Sequence, residues 1–219
     1  MKIIITDALW GEKHSDIEIR MKSLISANER FKVCREGINR QVGDKIDEHT
    51  KLFIKGYGNS PELISCFREL FFNSREMLDY LLITLNKATK SETIQTSRKF
   101  LPFCRSMMND DYNVLNMPLI NFLKTNITYV FHIRKVRNEI KNRVSNVKFR
   151  FVTDHIESYF RVPIASDEKE IIKFLDIENK EEAVRNNGYH CVFNLDVIFP
   201  EMVEFWKTAL SYLGKNYGT

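Results

Sequence analysis

The segment 116–144, NMPLINFLKTNITYVFHIRKVRNEIKNRV, combines an apolar stripe of helical period with a dense group of basic residues. Its apolar residues recur at steps of three and four, the spacing of helices that pack along their length. They are Leu123, Ile127, Val130, Ile133, Val136, Ile140 and Val144. This spacing predicts one long central helix and, because such a stripe must be covered, a helical bundle.

The flanking sequence predicts a mainly α fold, an antiparallel helical bundle with a small β-hairpin or three-stranded sheet near the C-terminus. Eight glycines and five prolines in 219 residues leave few interruptions to helices. After Val144 the apolar period changes from that of a helix to that of a strand. The predicted single domain, 1–219, comprises a bundle over 15–144, a β-containing element over 146–195 and a C-terminal helix over 196–214.

Within these parts, the patterns of apolar residues and helix breakers predict individual elements. Residues 7–14 are expected to be irregular, and 2–6 to be a short strand or extended arm. The helices are predicted over 15–55 (as one or two), 61–87, 96–108, 168–175 and 181–185, the hairpin over 146–164 and a third strand over 189–195.

Composition and the lack of special spacings exclude several classes of protein. Cysteines occur at 34, 66, 104 and 191 without metal-ligand spacing, and such isolated thiols are typical of reduced cytoplasmic proteins. No apolar run approaches the roughly 20 residues of a membrane span, and no secretory signal opens the chain. We therefore expect a cytoplasmic protein without membrane segment, metal or cofactor. A small-molecule enzyme is disfavoured, because phosphate loops and nucleophile–base pairs are missing.

Arg137 falls inside the apolar stripe. On a helical projection with Ile133 at zero, Arg137 lies at about 40°. An unpaired buried charge is costly, so a guanidinium there must reach solvent or find an anion. Glu69, Asp79 and Glu139 are the candidate carboxylate partners, and a phosphate or a carbonyl group is the alternative.

Basic residues are concentrated at the end of this helix and beyond it. The segment 134–150 holds seven basic residues and one acidic residue, a net charge of +6, whereas the whole chain carries +4. Such a patch suits RNA or nucleotide phosphate, with Phe131, Phe149 and Phe151 nearby for base stacking. The alternative is a solvated helix end favoured by the helix dipole. The candidate nucleic-acid-binding residues are Arg134, Lys135, Lys141 and Arg143.

The run 133–142, IRKVRNEIKN, together with 67–81, FRELFFNSREMLDYL, resembles HEPN domains (higher eukaryotes and prokaryotes nucleotide-binding). Members are helical bundles, commonly dimeric, and many are metal-independent ribonucleases of toxin–antitoxin, abortive-infection and RNA-guided defence systems. Their active motif is Arg-Asn-x-x-x-His. Arg137 and Asn138 match its first two positions, whereas Asn142 stands where the family has histidine.

The asparagine at position 142 matters because an amide cannot exchange a proton near neutral pH as an imidazole can. His132 is a further candidate, but it projects about 140° from Arg137 and could meet it only across a groove or a dimer interface. A structural histidine is therefore the favoured interpretation. The strings Arg150–His155 and Arg185–His190 repeat the spacing but lie in a strand-like run and before a turn.

Three functions of different classes remain, and the small-molecule enzyme is the least favoured of them. The favoured one is an HEPN-like RNA- or nucleotide-binding homodimer related to toxin or defence ribonucleases, with cleavage impaired or carried by an unobvious residue. Its candidate catalytic positions are Arg137, Asn138, Asn142 and His132, with Glu69 and Asp79 as supporting acidic residues. The alternative is a non-catalytic helical dimer that acts on a cognate protein as an interaction, inhibitor or assembly module.

Overall fold

A computed structural model describes residues 7–42, 52–53, 61–89, 100–109, 117–142, 147–152 and 155–213. The helices are α1 (Asp7–Val42), α2 (Pro61–Thr89), α3 (Phe100–Met108), α4 (Met117–Thr125), α5 (Ile127–Asn142), α6 (Lys169–Ile172), α7 (Lys180–Arg185) and α8 (Leu195–Ser211). The strands are β1 (Leu52–Phe53), β2 (Lys148–Val152), β3 (Ile156–Pro163) and β4 (Gly188–Asn194). The prediction of a mainly α fold with a small sheet is confirmed.

Helices α1 and α2 pack against each other in antiparallel directions. Arg20 of α1 forms an ion pair with Glu76 of α2 at 2.6 Å. Arg30, which lies further towards the C-terminal end of α1, forms an ion pair with Glu69 of α2. The partner number falls as the α1 number rises, which fixes the opposite directions. The other side of α2 packs on α5. Helix α2 begins at Pro61, as predicted, because proline is preorganised for the first helical position.

The sheet covers a further face of α2. Its strands pair antiparallel in the order β1-β2-β3-β4. The Phe67 ring of α2 stacks on Phe160 of β3 at 5.4 Å and meets Phe149 of β2 edge-on at 6.0 Å. Buried apolar residues of the helices and of the sheet form one cluster, so the sheet shares the core of the bundle.

Helix α8 closes the core from the α1 side. Its N-cap Asn194 accepts a hydrogen bond from the Asp196 backbone N–H at 3.0 Å, which satisfies one of the free donors of the first turn. Phe199 stacks on Phe31 of α1 with ring centres 4.3 Å apart, and Arg35 forms an ion pair with Asp196. The C-terminal helix was therefore predicted correctly. No helix among the described residues combines the length and apolar character needed to cross a membrane.

The N-terminal part of the prediction was wrong at two places. Helix α1 begins at Asp7, so 7–14 is helical and not irregular, and the bundle starts before residue 15. The helix predicted over 15–55 ends at Val42, and Leu52–Phe53 forms β1. Pairing of β1 with Phe151 and Val152 of β2 overrides the helical spacing of its side chains. The arm at 2–6 lies outside the described residues.

The central helix is also divided, whereas the sequence predicts one continuous element. The break lies at Asn126, whose side-chain amide donates to the Phe122 carbonyl oxygen at 2.8 Å. The Thr125 hydroxyl donates to the Asn121 carbonyl oxygen at 3.0 Å. Such side-chain bonds bend helices. The backbone N–H of Asn126 still donates to the Phe122 carbonyl oxygen and that of Val130 to the Asn126 carbonyl oxygen, both at 3.1 Å, so the break is local. The predicted hairpin, third strand and short helices after residue 146 are confirmed.

Candidate functional site

Helices α2 and α5 bring together an arginine cluster, which we define as Arg75, Asp79, Arg134 and Arg137. Arg75 and Asp79 lie one turn apart on α2 and form an ion pair at 2.7 Å. Arg134 and Arg137 lie three residues apart on α5 and therefore project towards the same side. The Arg75 side chain is 17% exposed and that of Asp79 is 43% exposed, so the arginine is the enclosed member of the pair.

The charges of the cluster act on one another. Burial lowers the pKa of Arg75; the Asp79 carboxylate opposes this shift, and the positive charges of Arg134 and Arg137 reinforce it. Burial raises the pKa of Asp79, against the attraction of Arg75, Arg137 and Arg134. Three guanidinium groups therefore share a single carboxylate inside the cluster. An additional anion placed among them would be attracted by all three.

Arg137 is the arginine of the cluster whose positive charge is least compensated by carboxylates of the described residues. Its guanidinium lies 5.0 Å from the centre of the Phe72 ring and donates to Oδ1 of Asn138 at 3.3 Å. Within the described part of the chain, no carboxylate oxygen lies within 4.0 Å of it. The aromatic ring accommodates the weakly hydrated guanidinium without neutralising it. The predicted position beside apolar residues is therefore observed, but Asp79 acts on Arg137 only from a distance.

Glu69 does not support Arg137, contrary to the sequence prediction. Its carboxylate forms an ion pair with Arg30 of α1 and accepts a hydrogen bond from the Ser65 hydroxyl at 3.3 Å. Glu69 therefore joins α1 to α2. Among the predicted acidic residues, only Asp79 belongs to the arginine cluster.

Lys135 also has a role other than the predicted one. Its ammonium lies 2.7 Å from Oε2 of Glu168, and the two side chains are 11% and 6% exposed. The same Glu168 carboxylate accepts from the Ala165 backbone N–H at 2.9 Å and lies 3.9 Å from Arg134. Lys135 thus ties α5 to the turn before α6, and little of its charge is available to a nucleic acid.

The remaining predicted positions follow along α5. Asn138 is partly buried and is held by Arg137, whereas Lys141 and Asn142 are exposed in the last turn. Arg143 lies outside the described residues. The prediction that nearby aromatic residues stack on bases was wrong. Phe131, Phe149 and Phe151 are 0%, 4% and 4% exposed and belong to the core.

Phe72 and Arg68 are the site residues that the sequence analysis missed. Arg68 of α2 lies 5.7 Å from the centre of the same Phe72 ring that Arg137 contacts. One signal was available. Adjacent residues on a helix point about 100° apart, so Phe71 and Phe72 cannot both face the same part of the core. Phe71 is buried, and Phe72 is the half-exposed member of the pair.

His132 faces away from the arginine cluster. Its Nε2 atom lies 2.7 Å from the Tyr189 hydroxyl, and its ring meets Phe193 edge-on at 5.5 Å. Burial lowers the pKa of His132 to about 4 and raises the pKa of Tyr189. A neutral ring can accept the hydrogen bond that the protonated Tyr189 hydroxyl donates. These contacts support the structural interpretation of His132.

The other histidines with described side chains also have partners elsewhere. His155 lies 2.9 Å from Glu157, and His190 stacks on Tyr159 with ring centres 5.0 Å apart. Among the described side chains, Arg137 therefore has no neighbouring imidazole. The described residues also contain no group of three or more His, Cys, Asp or Glu that could hold a metal ion.

Comparisons of the chain with protein-family models, with curated proteins and with solved structures found no match. The resemblance to HEPN domains therefore stays a prediction, carried by the residues of α2 and α5.

The environment of His132 predicts a pH-dependent stability. Its pKa of about 4 in the fold lies below the value of roughly 6.5 in an unfolded chain. The unfolded state therefore binds the proton more readily, and the free energy of unfolding should decrease by up to about 3 kcal/mol as the pH falls from 6.5 towards 4. Urea unfolding of the wild type and of His132→Gln between pH 8 and pH 4 measures this contribution, which the variant lacks. Parallel pH profiles for the two proteins would contradict it.

Proposed function

We propose that the arginine cluster binds a phosphate of RNA. The observation that carries this proposal is Arg137, a partly buried guanidinium that rests on an aromatic ring and has no carboxylate oxygen within 4.0 Å among the described residues. Arginine presents its donors in a planar fork that matches phosphate oxygens. A bound phosphate would supply the negative charge that Asp79 alone supplies now.

The charge balance of the surroundings supports the same proposal. Arg75, Arg134, Lys135 and Arg137 are opposed by the two carboxylates of Asp79 and Glu168. These six side chains together carry a net charge of +2. Further along α5, Lys141 is exposed, so an approaching polyanion meets additional positive charge.

We further propose that the protein binds RNA without efficient cleavage. Hydrolysis by attack of the 2′-hydroxyl needs groups that accept and donate protons. Asn138 and Asn142 cannot do this near neutral pH, and His132 is held by Tyr189. The resemblance to HEPN domains supports a homodimeric, cytoplasmic protein related to toxin or defence ribonucleases. Four free cysteines agree with a reducing compartment.

A second candidate function, protein interaction, is favoured by a different observation. On the outer face of the sheet, Tyr159 of β3 is 48% exposed and Val192, its partner in register on β4, is 47% exposed. An apolar pair of this kind on an open sheet face suits contact with another protein. It would be the favoured function if RNA binding proved independent of the arginine cluster.

Replacing Arg137 tests the phosphate site. Arg137→Ala should weaken binding of a single-stranded RNA about tenfold, because a charged hydrogen-bonding partner of phosphate is lost. The slope of log affinity against log salt should become shallower by about 0.7, the value of one phosphate contact on a single strand. Fluorescence anisotropy at several salt concentrations measures both quantities.

Two matched variants sharpen that test. Arg137→Lys keeps the charge but loses the fork and the ring contact, so its affinity should lie between those of wild type and Arg137→Ala. Arg185→Ala removes an exposed arginine of α7 and should leave the affinity unchanged. Equal affinities of wild type and Arg137→Ala would refute the phosphate site.

Restoring the imidazole tests the account of cleavage. Asn142→His places a group of suitable pKa one turn beyond Asn138, so the cleavage rate of single-stranded RNA in the presence of a metal chelator should rise at least about tenfold. Asn142→Gln controls for the size of the new side chain. A wild-type protein that already cleaves RNA rapidly under these conditions would sink the explanation.

A further inference from the structure

A groove of about 690 Å³ runs along α2 beside the arginine cluster. It extends from Pro61, at the start of the helix, to Glu76, and Arg20 of α1 lines its other side. Phe72 belongs both to this groove and to the contact with Arg137. Arg137 itself does not line the groove, and Phe72 is the residue that connects the groove to this guanidinium. Its volume falls within the range of sites that hold a small ligand.

Two guanidinium groups rest on the ring of Phe72. The central carbon of Arg137 lies 5.0 Å from the ring centre, and that of Arg68 lies 5.7 Å from the same point. The two carbons therefore cannot be more than about 10.7 Å apart. Neighbouring phosphates of a nucleic-acid strand can reach both groups across such a distance.

Among the described residues, Arg68 is the arginine of the groove that forms no ion pair. Arg20 is neutralised by Glu76 at 2.6 Å and donates to Asn73 at 3.4 Å. Arg68 is exposed, and in the region that the structure describes no carboxylate oxygen lies within 4.0 Å of it. The two carboxylates that line the groove, Glu69 and Glu76, form ion pairs with arginines of α1. Arg68 in the groove and Arg137 beside it then both lie near the Phe72 ring.

We propose that the groove along α2 is the path of a single RNA strand, with one phosphate at Arg137 and the adjacent phosphate at Arg68. This inference rests on the proposed function and specifies its ligand as a strand with at least two consecutive phosphates. The apolar side chains of Ile64 and Phe72 line the groove between polar residues and offer contact area for a base or a ribose.

The proposed roles of Arg68 and Arg137 can be distinguished by comparing a ligand that has one phosphate with a ligand that has several. The experiment measures the affinity of wild type, Arg68→Ala, Arg137→Ala and the control Arg185→Ala for uridine monophosphate and for a hexamer of uridines. Arg68→Ala should weaken the hexamer about fivefold and make its salt slope shallower by about 0.7, while the monophosphate is unaffected. Arg137→Ala should weaken both ligands. Because Arg68 is exposed, its replacement should leave the melting temperature unchanged.

The remaining outcomes distinguish failure of the path from failure of the site. If Arg68→Ala leaves hexamer binding unchanged while Arg137→Ala weakens it, the path along α2 is overturned and the phosphate site stands. If Arg68→Ala weakens the monophosphate as much as the hexamer, both arginines hold one phosphate, which also overturns the path. If Arg137→Ala changes neither affinity, the proposed function itself fails.

Discussion

The burial of α2 on several sides is the constraint on which the rest of the structure depends. Phe67 of α2 contacts the sheet, and ion pairs join α2 to the antiparallel helix α1. Helix α5 also packs on α2. A fully buried phenylalanine contributes about 2–3 kcal/mol, so these contacts fix the rotation of the helix. Once the rotation is fixed, Arg75 and Asp79 can only lie at the edge facing α5. The arginine cluster is therefore a consequence of how the core is filled.

The fold holds like charges together at this edge. Asp79 and Glu168 offset part of the repulsion, and the Phe72 ring contacts two guanidinium groups that have no carboxylate oxygen within 4.0 Å in the part of the chain that the structure describes. Repulsion between partly buried charges is greater than in water, because the local dielectric constant is lower. A bound anion removes this repulsion and stabilises the folded state by mass action. If the arginine cluster binds an anion as proposed, the site is preorganised, because the apolar core and not the ligand holds the arginines in place.

Local patterns in the sequence predicted the elements well where one signal dominates. Proline at position 61 marks the start of α2, and the alternation after residue 146 identifies the hairpin. Projection on a helix also placed Arg137 beside apolar residues. The errors arise where long-range contacts decide. Pairing with β2 makes Leu52–Phe53 a strand.

The same limit applies to the site. Alternation shows that Phe149 and Phe151 share one face of the sheet, but it cannot tell that this face is the core. Lys135 contacts Glu168, which is 33 residues away in the chain, and no local sequence pattern predicts that contact. The contact of Arg137 with Phe72 likewise joins two helices whose relative rotation only the packed structure reveals. The candidate positions on α5 could therefore be named from the sequence, but the residues that their side chains contact could not.

The most direct measurement of the central claim is the RNA affinity of Asp79→Asn. If the arginine cluster binds phosphate, removal of its one carboxylate should tighten binding of single-stranded RNA severalfold at low salt, although Arg75 loses its ion-pair partner. Asp176→Asn, at an exposed position before α7, changes the net charge equally and should have a much smaller effect. An affinity that is unchanged or weaker in Asp79→Asn would contradict the account.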